Sequence, residues 1–129
     1  MKISNNLNDD IAHAPEWFQR AISVKPEEKV LGHEKGDISY SFWESKSNTG
    51  NLIILIHGTG AHKKWWYPIA PGLNLNAHII SIDLPGMGDS SFRESYKVED
   101  FGDCVTSVIR HEKDINNSSF TYLVGHSLG

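Results

Sequence analysis

Phe120-Thr121-Tyr122-Leu123-Val124-Gly125-His126-Ser127-Leu128-Gly129 is the stretch that decides the fold. Residues 120–124 are apolar or aromatic except for Thr121, which predicts a strand covered on both faces of a parallel sheet. The following Gly-x-Ser-x-Gly pattern is typical of a tight strand-to-helix turn that holds a serine hydroxyl clear of the backbone. The flanking glycines leave room for the neighbouring strand and helix. We therefore predict Ser127 as a nucleophile, with the N–H of Leu128 directed at the oxygen of the carbonyl group that the serine attacks.

A second glycine-bearing loop lies upstream of this stretch. The β-branched run Leu52–Ile56 predicts another buried strand, and His57-Gly58-Thr59-Gly60 follows it directly. Acyl transfer needs two donors for the developing oxyanion, and we predict the backbone N–H of Thr59 as the second one. His57 is interpreted as a structural residue that braces the loop by hydrogen bonding.

The third loop, Asp83-Leu84-Pro85-Gly86-Met87-Gly88, follows a third buried strand at His78–Ile82. Asp83 precedes a Pro-Gly turn whose backbone its carboxylate can hold, so we interpret it as structural and not as a catalytic acid.

The remaining pattern predicts an α/β fold with a mainly parallel sheet. Lys29–Glu34 and Ile38–Glu44 are expected to form an antiparallel hairpin, the second strand with one buried face because its apolar residues alternate with Ser39, Ser41 and Trp43. A helix is predicted around Trp65–Leu73, broken near Pro71, and a longer amphipathic helix begins near Val98. In open α/β sheets, ligands bind at the carboxyl ends of the strands, where all three glycine-bearing loops lie.

Composition indicates one ordered domain without a nucleic-acid partner. The 129 residues are 39% hydrophobic and 22% charged, and the formal charge is −4, whereas nucleic-acid binding favours a basic face. No apolar run reaches the length of a membrane span, and the N-terminus lacks the apolar core of a secretory signal. The single cysteine, Cys104, is interpreted as a core residue and is compatible with the cytoplasmic location that we expect.

Each cofactor-binding or metal-binding motif that we considered lacks a required residue at a fixed position. We therefore expect neither a cofactor nor a metal ion. A dinucleotide-binding pattern needs a third glycine where Lys63 or Ser91 stands, and no GK[ST] phosphate loop occurs. A zinc-binding helix starting at His111-Glu112 needs histidine where Ile115 stands.

Taken together, the three loops resemble those of the α/β-hydrolase superfamily. The resemblance covers residues 15–129 and includes Ala61-His62-Lys63-Lys64-Trp65-Trp66 and Pro15-Glu16-Trp17-Phe18, which are similar to an esterase-like branch. It implies that Ser127 is the nucleophile and that Thr59 and Leu128 supply the oxyanion hole. A serine in the elbow differs from the dehalogenase and epoxide-hydrolase branches, which place an aspartate there.

The family order is nucleophile, acid, histidine, so the resemblance implies that the acid and the general base follow residue 129. None of the seven histidines stands at the position of that base. We therefore interpret residues 1–129 as the N-terminal part of a single α/β-hydrolase domain, truncated after the nucleophile elbow. Residues 1–28 would form an N-terminal extension, loose up to residue 14 and followed by a short helix from Pro15. Strand 120–124 would then be an exposed apolar edge.

The expected function, in the complete protein, is a serine hydrolase that acts on a small-molecule ester, lactone or related carbonyl substrate through an acyl-enzyme. Amide, thioester or carbon–carbon hydrolysis and perhydrolysis stay open, as does a non-catalytic scaffold or binding module. Trp65, Trp66 and Tyr67 are equally compatible with an acyl pocket and with packing of the following helix on the sheet. The sequence gives no indication of the oligomeric state.

Overall fold

The sheet is mixed, with five strands in the spatial order β1-β2-β4-β3-β5. It is seen in a computed structural model that describes residues 7–47 and 49–129. β1 (Glu27–Leu31) and β2 (Ile38–Trp43) form the predicted antiparallel hairpin, joined by a turn around Gly36, but β1 begins two residues and ends three residues earlier than predicted. β2 also pairs antiparallel with β4, so the hairpin continues directly into the parallel part of the sheet.

The parallel part consists of β3 (Leu52–Ile56), β4 (His78–Ile82) and β5 (Thr121–Gly125). β3 lies in the middle, with Ile56 opposite Ile82 on one side and opposite Gly125 on the other. This register brings the carboxyl ends of the three strands to the same level. The loops that begin at His57, Asp83 and His126 therefore meet at one edge of the sheet.

Helices cover both faces of the sheet. The long helix α4 (Val98–Asn116) packs Cys104, Val105 and Val108 against one apolar layer of β2, β3 and β4. On the opposite face, a 3-10 helix (Lys63–Trp66) and the short helix α3 (Ala70–Leu73) contribute to a smaller cluster. Alternate residues of β3 belong to the two layers, as expected for a strand that is buried on both faces.

Three expectations need correction. The helix predicted around Trp65–Leu73 is two short pieces, with Pro68 between them and Pro71 in the first turn of α3. The N-terminal extension has two helices, α1 (Leu7–Ala12) and α2 (Glu16–Ser23), so residues 7–12 are not loose. Residues 1–6 lie outside the described range.

The third correction concerns β2, where the alternating pattern predicted a single buried face. All six residues of β2 are buried, including Ser39 and Ser41. The Ser39 hydroxyl accepts a hydrogen bond from the Lys63 ammonium, and the Ser41 hydroxyl donates to Glu28. The serine face is therefore covered by polar partners from other segments, and serine is buried there because its hydroxyl is satisfied.

β5 is the edge strand of the sheet in this chain. Its residues Tyr122, Leu123 and Val124 are exposed, as the sequence predicted for the edge at residues 120–124. Within residues 7–47 and 49–129, no helix has the length and apolar character required to cross a membrane.

Candidate active site

The Gly-x-Ser-x-Gly segment forms a tight turn at the end of β5. The N–H of Gly129 donates to the carbonyl oxygen of His126 over 3.0 Å, and Ser127 lies at a φ of 58°, in the left-handed region that serine seldom adopts. Such strain is stored where the surrounding structure enforces it and is frequent at functional sites.

The two glycines of the turn are required by close approach of backbone to backbone. A Cβ built on Gly125 would lie 2.2 Å from the Gly129 carbonyl carbon, and one built on Gly129 would lie 2.4 Å from the Ile56 carbonyl oxygen. Neither distance leaves room for a side chain. The turn can therefore press against the end of β3 only with glycine at both positions.

The loop after β3 and the turn after β5 are in direct contact. The N–H of His126 donates to the Ile56 carbonyl oxygen over 3.1 Å, and a Cβ on Gly58 would lie 3.0 Å from the Ser127 Cβ. The two segments enclose an open pocket of about 440 Å³. Its lining comprises Gly58, Thr59, Gly60, Ala61, His62, Trp65, His126 and Ser127.

Two main-chain N–H groups near this pocket are free to bind an acceptor. Within residues 7–47 and 49–129, neither the N–H of Thr59 nor that of Leu128 donates a hydrogen bond, and the Ser127 hydroxyl has no partner. Thr59 and Ser127 share the pocket, whereas the Leu128 side chain lines a separate apolar groove beside α4. Backbone donors beside a serine hydroxyl are the arrangement that stabilises a tetrahedral oxyanion.

His57 connects two of the three loops and is fully buried. Its Nε2 accepts the N–H of Leu84 over 3.1 Å, and its Nδ1 lies 2.7 Å from the Gly58 carbonyl oxygen. These partners fit a neutral imidazole with the proton on Nδ1. Burial lowers the pKa of His57, against the opposing effect of the Gly58 carbonyl. The geometry agrees with the structural role predicted for this residue.

Asp83 holds the backbone of its own loop and that of the following segment. Its carboxylate accepts the N–H of Asp89 over 2.9 Å and the N–H of Lys63 over 2.6 Å. Both contacts are of the kind predicted for a residue that fixes a turn. The carboxylate is fully buried among these donors, away from the pocket that contains Ser127.

The residue that sequence reasoning missed is Lys63. Only 3% of its side chain is exposed, and its ammonium lies 2.9 Å from Asp89 Oδ2, 3.2 Å from Asp83 Oδ2 and 3.4 Å from Glu28 Oε2. Burial alone would lower the pKa of Lys63, but the surrounding carboxylates outweigh it and the pKa is raised. The signal available in the sequence was the pair of aspartates at 83 and 89, which place two negative charges on a loop without a cation of its own.

The aromatic residues divide between the two roles left open by the sequence. Trp65 lines the pocket and stacks on the ring of His126, with the ring centroids 5.9 Å apart. Trp66 and Tyr67 instead pack against the apolar cluster on the sheet. Of these three aromatic residues, Trp65 is therefore the one that is placed to contact a molecule bound next to Ser127.

Cys104 is fully buried against the sheet from α4, as the sequence predicted for a core residue. Burial raises the pKa of its thiol to about 12, so it is held as the unreactive thiol.

Comparison with known proteins identifies the family that carries this arrangement. The family model described as "Alpha/beta hydrolase family" matches residues 53–129, which is more than half of the chain and contains all three loops. The chain belongs to the alpha/beta hydrolase family. Its mixed sheet with an antiparallel hairpin before parallel strands agrees with that membership, as predicted.

Relatives of this alpha/beta hydrolase are named as hydrolases. The (E)-2-((N-methylformamido)methylene)succinate hydrolase of Acinetobacter baylyi is 33% identical over 81 residues, covering 62% of this chain and 29% of the relative. The human monoacylglycerol lipase ABHD6 is 26% identical over 122 residues, covering 88% of this chain and 33% of the relative. The chain thus spans about a third of the length of these relatives.

A solved structure supports the same fold. The thioesterase domain from the curacin biosynthetic pathway superposes with a TM-score of 0.71 and 29% sequence identity, covering 82% of this chain and 38% of that domain. This superposition agrees with the alpha/beta hydrolase family assigned from residues 53–129.

Proposed function

We propose that the protein is a serine hydrolase that acts on a small ester, lactone or related carbonyl substrate, with Ser127 as its nucleophile. The Ser127 oxygen attacks the carbonyl carbon, and the oxyanion that forms accepts hydrogen bonds from the N–H groups of Thr59 and Leu128. The bond to the leaving oxygen then breaks, and the serine proton passes through a general base to that oxygen. Water cleaves the acyl-enzyme, which releases the acid and restores the hydroxyl.

One observation carries this proposal. Ser127 lies in a strained turn at the rim of an open pocket that it shares with Thr59, and the hydroxyl and the loop amide both lack internal partners among the described residues. The hydroxyl of a serine in a turn can bond to its own backbone, although more weakly than the side chain of Asn or Asp. A hydroxyl and an amide left free on the same pocket are consistent with a ligand as their partner.

The proposal assigns the general base and its acid to sequence that follows Gly129. Within the described residues, no imidazole donates to or accepts from the Ser127 hydroxyl, although His62 and His126 line the same pocket. The matched part of this chain covers 29% of the first relative and 33% of the second, which is consistent with that assignment. We regard residues 1–129 as part of one hydrolase domain on the same grounds.

The ester class is favoured by the names of the relatives and by the chemistry of the site. A monoacylglycerol lipase and a thioesterase domain are among the similar proteins, and both names denote acyl transfer to water. The proposed mechanism needs no cofactor, because the protein supplies both the nucleophile and the oxyanion donors. We place this chemistry in the cytoplasm, with which the single, buried cysteine is compatible.

Labelling with a fluorophosphonate probe tests the proposal. The protein produced from the complete reading frame should become labelled at Ser127 and should hydrolyse short-chain aryl esters. Ser127→Ala should abolish both signals, whereas Ser119→Ala, a change of the same kind outside the pocket, should alter neither. Turnover that survives Ser127→Ala would contradict the proposal. A folded protein with neither labelling nor turnover would favour the alternative of a non-catalytic scaffold.

A further inference from the structure

We propose that Lys63 is a positioning residue that fixes the loop bearing the Thr59 N–H relative to Ser127. The inference rests on the proposed function, because it concerns the geometry of the oxyanion donors. Lys63 does not contact the pocket that contains Ser127. It acts through the backbone of residues 57–63.

Both ends of this loop are attached to β4 or to the two residues that directly follow it. At the first end, His57 Nε2 accepts the N–H of Leu84. At the second end, the N–H of Lys63 donates to Asp83 Oδ1, and the Lys63 carbonyl oxygen accepts the hydroxyl of Ser81 over 2.7 Å. Residues 58–62 therefore span two fixed points, and the position of Thr59 depends on both.

The side chain of Lys63 strengthens the second attachment. Its ammonium is 3.2 Å from Asp83 Oδ2, so Lys63 contacts the Asp83 carboxylate with both its backbone N–H and its side chain. The ammonium also donates to the Ser39 hydroxyl over 2.6 Å and to Asp89 over 2.9 Å. These contacts tie the end of the loop to β2 and to the turn that follows β4.

Removing the cation would leave the Asp83 carboxylate buried without its counter-charge. A buried ion that loses its partner reorganises, protonates or draws in water, because an unpaired charge in the interior is costly. Asp83 would then hold the Lys63 backbone N–H in a different position. The Thr59 amide, four residues before Lys63, would move with the loop.

Such a displacement affects the transition state more than substrate binding. The oxyanion forms only after the serine has attacked, so a misplaced donor lowers kcat while KM changes little. Loss of one oxyanion donor costs about 10²–10³ in kcat. For a displaced donor we expect a decrease of about 10-fold to 100-fold.

The test compares Lys63→Met with Lys64→Met in the protein from the complete reading frame. Lys64 is the adjacent lysine, is exposed, and makes no side-chain hydrogen bond or ion pair in the described part of the chain, so it is a matched control. Lys63→Met should lower kcat for an aryl ester by about 10-fold or more, with KM within about 2-fold of wild type. Lys63→Arg, which keeps the cation, should recover part of the loss, and Lys64→Met should match wild type.

A second variant keeps the inference testable if Lys63→Met does not fold. Asp89→Asn weakens one contact of the ammonium at a side chain that is 75% exposed, so the fold should be retained. It should lower kcat by about 3-fold, again with KM unchanged. Equal kcat in wild type, Lys63→Met and Asp89→Asn, or a rise in KM alone, would overturn the role of Lys63 and leave Ser127 as the nucleophile. Absence of turnover in the wild type would instead overturn the proposed function.

Discussion

His57 shows how a residue next to the candidate nucleophile serves the structure of the site. Its ring is buried between the loops after β3 and β4, and it accepts the Leu84 N–H only while Nε2 carries no proton. Protonation would remove this acceptor and place a charge in a buried position. The hydrogen bond from the Leu84 N–H to His57 is therefore sensitive to pH.

The sign of this pH dependence follows from the lowered pKa of His57. Below the ordinary histidine pKa of 6.5, the unfolded chain takes up a proton that the folded chain does not. The free energy of unfolding should then fall with decreasing pH, by at most about 1.4 kcal/mol per pH unit for one proton, until the folded pKa is reached. Burial lowers the pKa of His78 as well, so it adds a contribution of the same sign.

Urea unfolding between pH 7.5 and pH 5 checks this prediction. His57→Gln keeps an acceptor for the Leu84 N–H but cannot titrate, so its stability should depend less steeply on pH than that of the wild type. His13→Gln replaces an exposed histidine and should leave the slope unchanged. If the free energy of unfolding depended on pH equally steeply in the wild type and in His57→Gln, this would contradict the prediction that protonation of His57 destabilises the fold.

For single residues, the sequence predicts a structural role when the hydrogen-bond partners are close in the sequence, and it misses the role when they are far apart in the sequence. The structural roles of His57 and Asp83 follow from the glycine turns beside them. Lys63 stands in a polar-looking segment, but its hydrogen-bond partners in other segments are 18 to 26 residues away. Only the assembled sheet brings them together, so no local pattern marks Lys63 as buried.

Among the secondary-structure elements, α4 is joined to the antiparallel hairpin by a buried carboxylate. Glu112 accepts the hydroxyl of Tyr40 over 2.6 Å and the ammonium of Lys29 over 3.0 Å. Burial would raise the pKa of Glu112, but these donors outweigh it and the pKa is lowered. The carboxylate is therefore ionised, and it stabilises the contact between helix and hairpin.

Glu112→Gln should reduce the free energy of unfolding by about 1.5–3 kcal/mol, because hydrogen bonds to a charged group are lost in a buried site. Glu94→Gln makes the same chemical change at an exposed loop position and should stay within about 0.5 kcal/mol of wild type. Chemical denaturation at pH 7 measures both. A difference of less than about 0.5 kcal/mol between the two variants would contradict the buried-carboxylate contact.

The elements themselves were predictable where apolar residues run continuously. β3 and β4 have the predicted bounds, because β3 is an unbroken apolar run, β4 has isoleucine at three of its five positions, and the two strands stop at a glycine-bearing loop and at an aspartate. Prediction failed where tertiary contacts override the pattern. The serines of β2 alternate like solvent-facing residues, yet Lys63, Glu28 and Tyr67 cover them.

For the whole molecule, the order of the strands determines what is exposed. Among the described strands β5 pairs with β3 alone, and the side chains of Phe120, Tyr122 and Leu123 are about 60% exposed. Apolar edge strands readily pair with other chains. The 129-residue chain on its own should therefore self-associate.

Size-exclusion chromatography with light scattering at several concentrations tests this expectation. The mean mass should rise with concentration, and Leu123→Lys should lower it, because a charge on an edge strand opposes pairing. Thr106→Lys adds the same charge on the exposed face of α4 and should have a smaller effect. If the protein were monomeric at all concentrations, with or without Leu123→Lys, the expectation that β5 pairs with other chains would be contradicted.

The central claim for the molecule is that three strand ends, level in one sheet, bring a serine hydroxyl and two free amides together. The crystal structure of the complete protein after reaction with a phosphonate probe tests it most directly, since the bound phosphonyl oxygen occupies the place of the oxyanion. The claim predicts a covalent bond to Ser127 Oγ, with that oxygen about 3 Å from the nitrogens of both Thr59 and Leu128. A probe attached to another residue, or a phosphonyl oxygen turned away from both nitrogens, would contradict it.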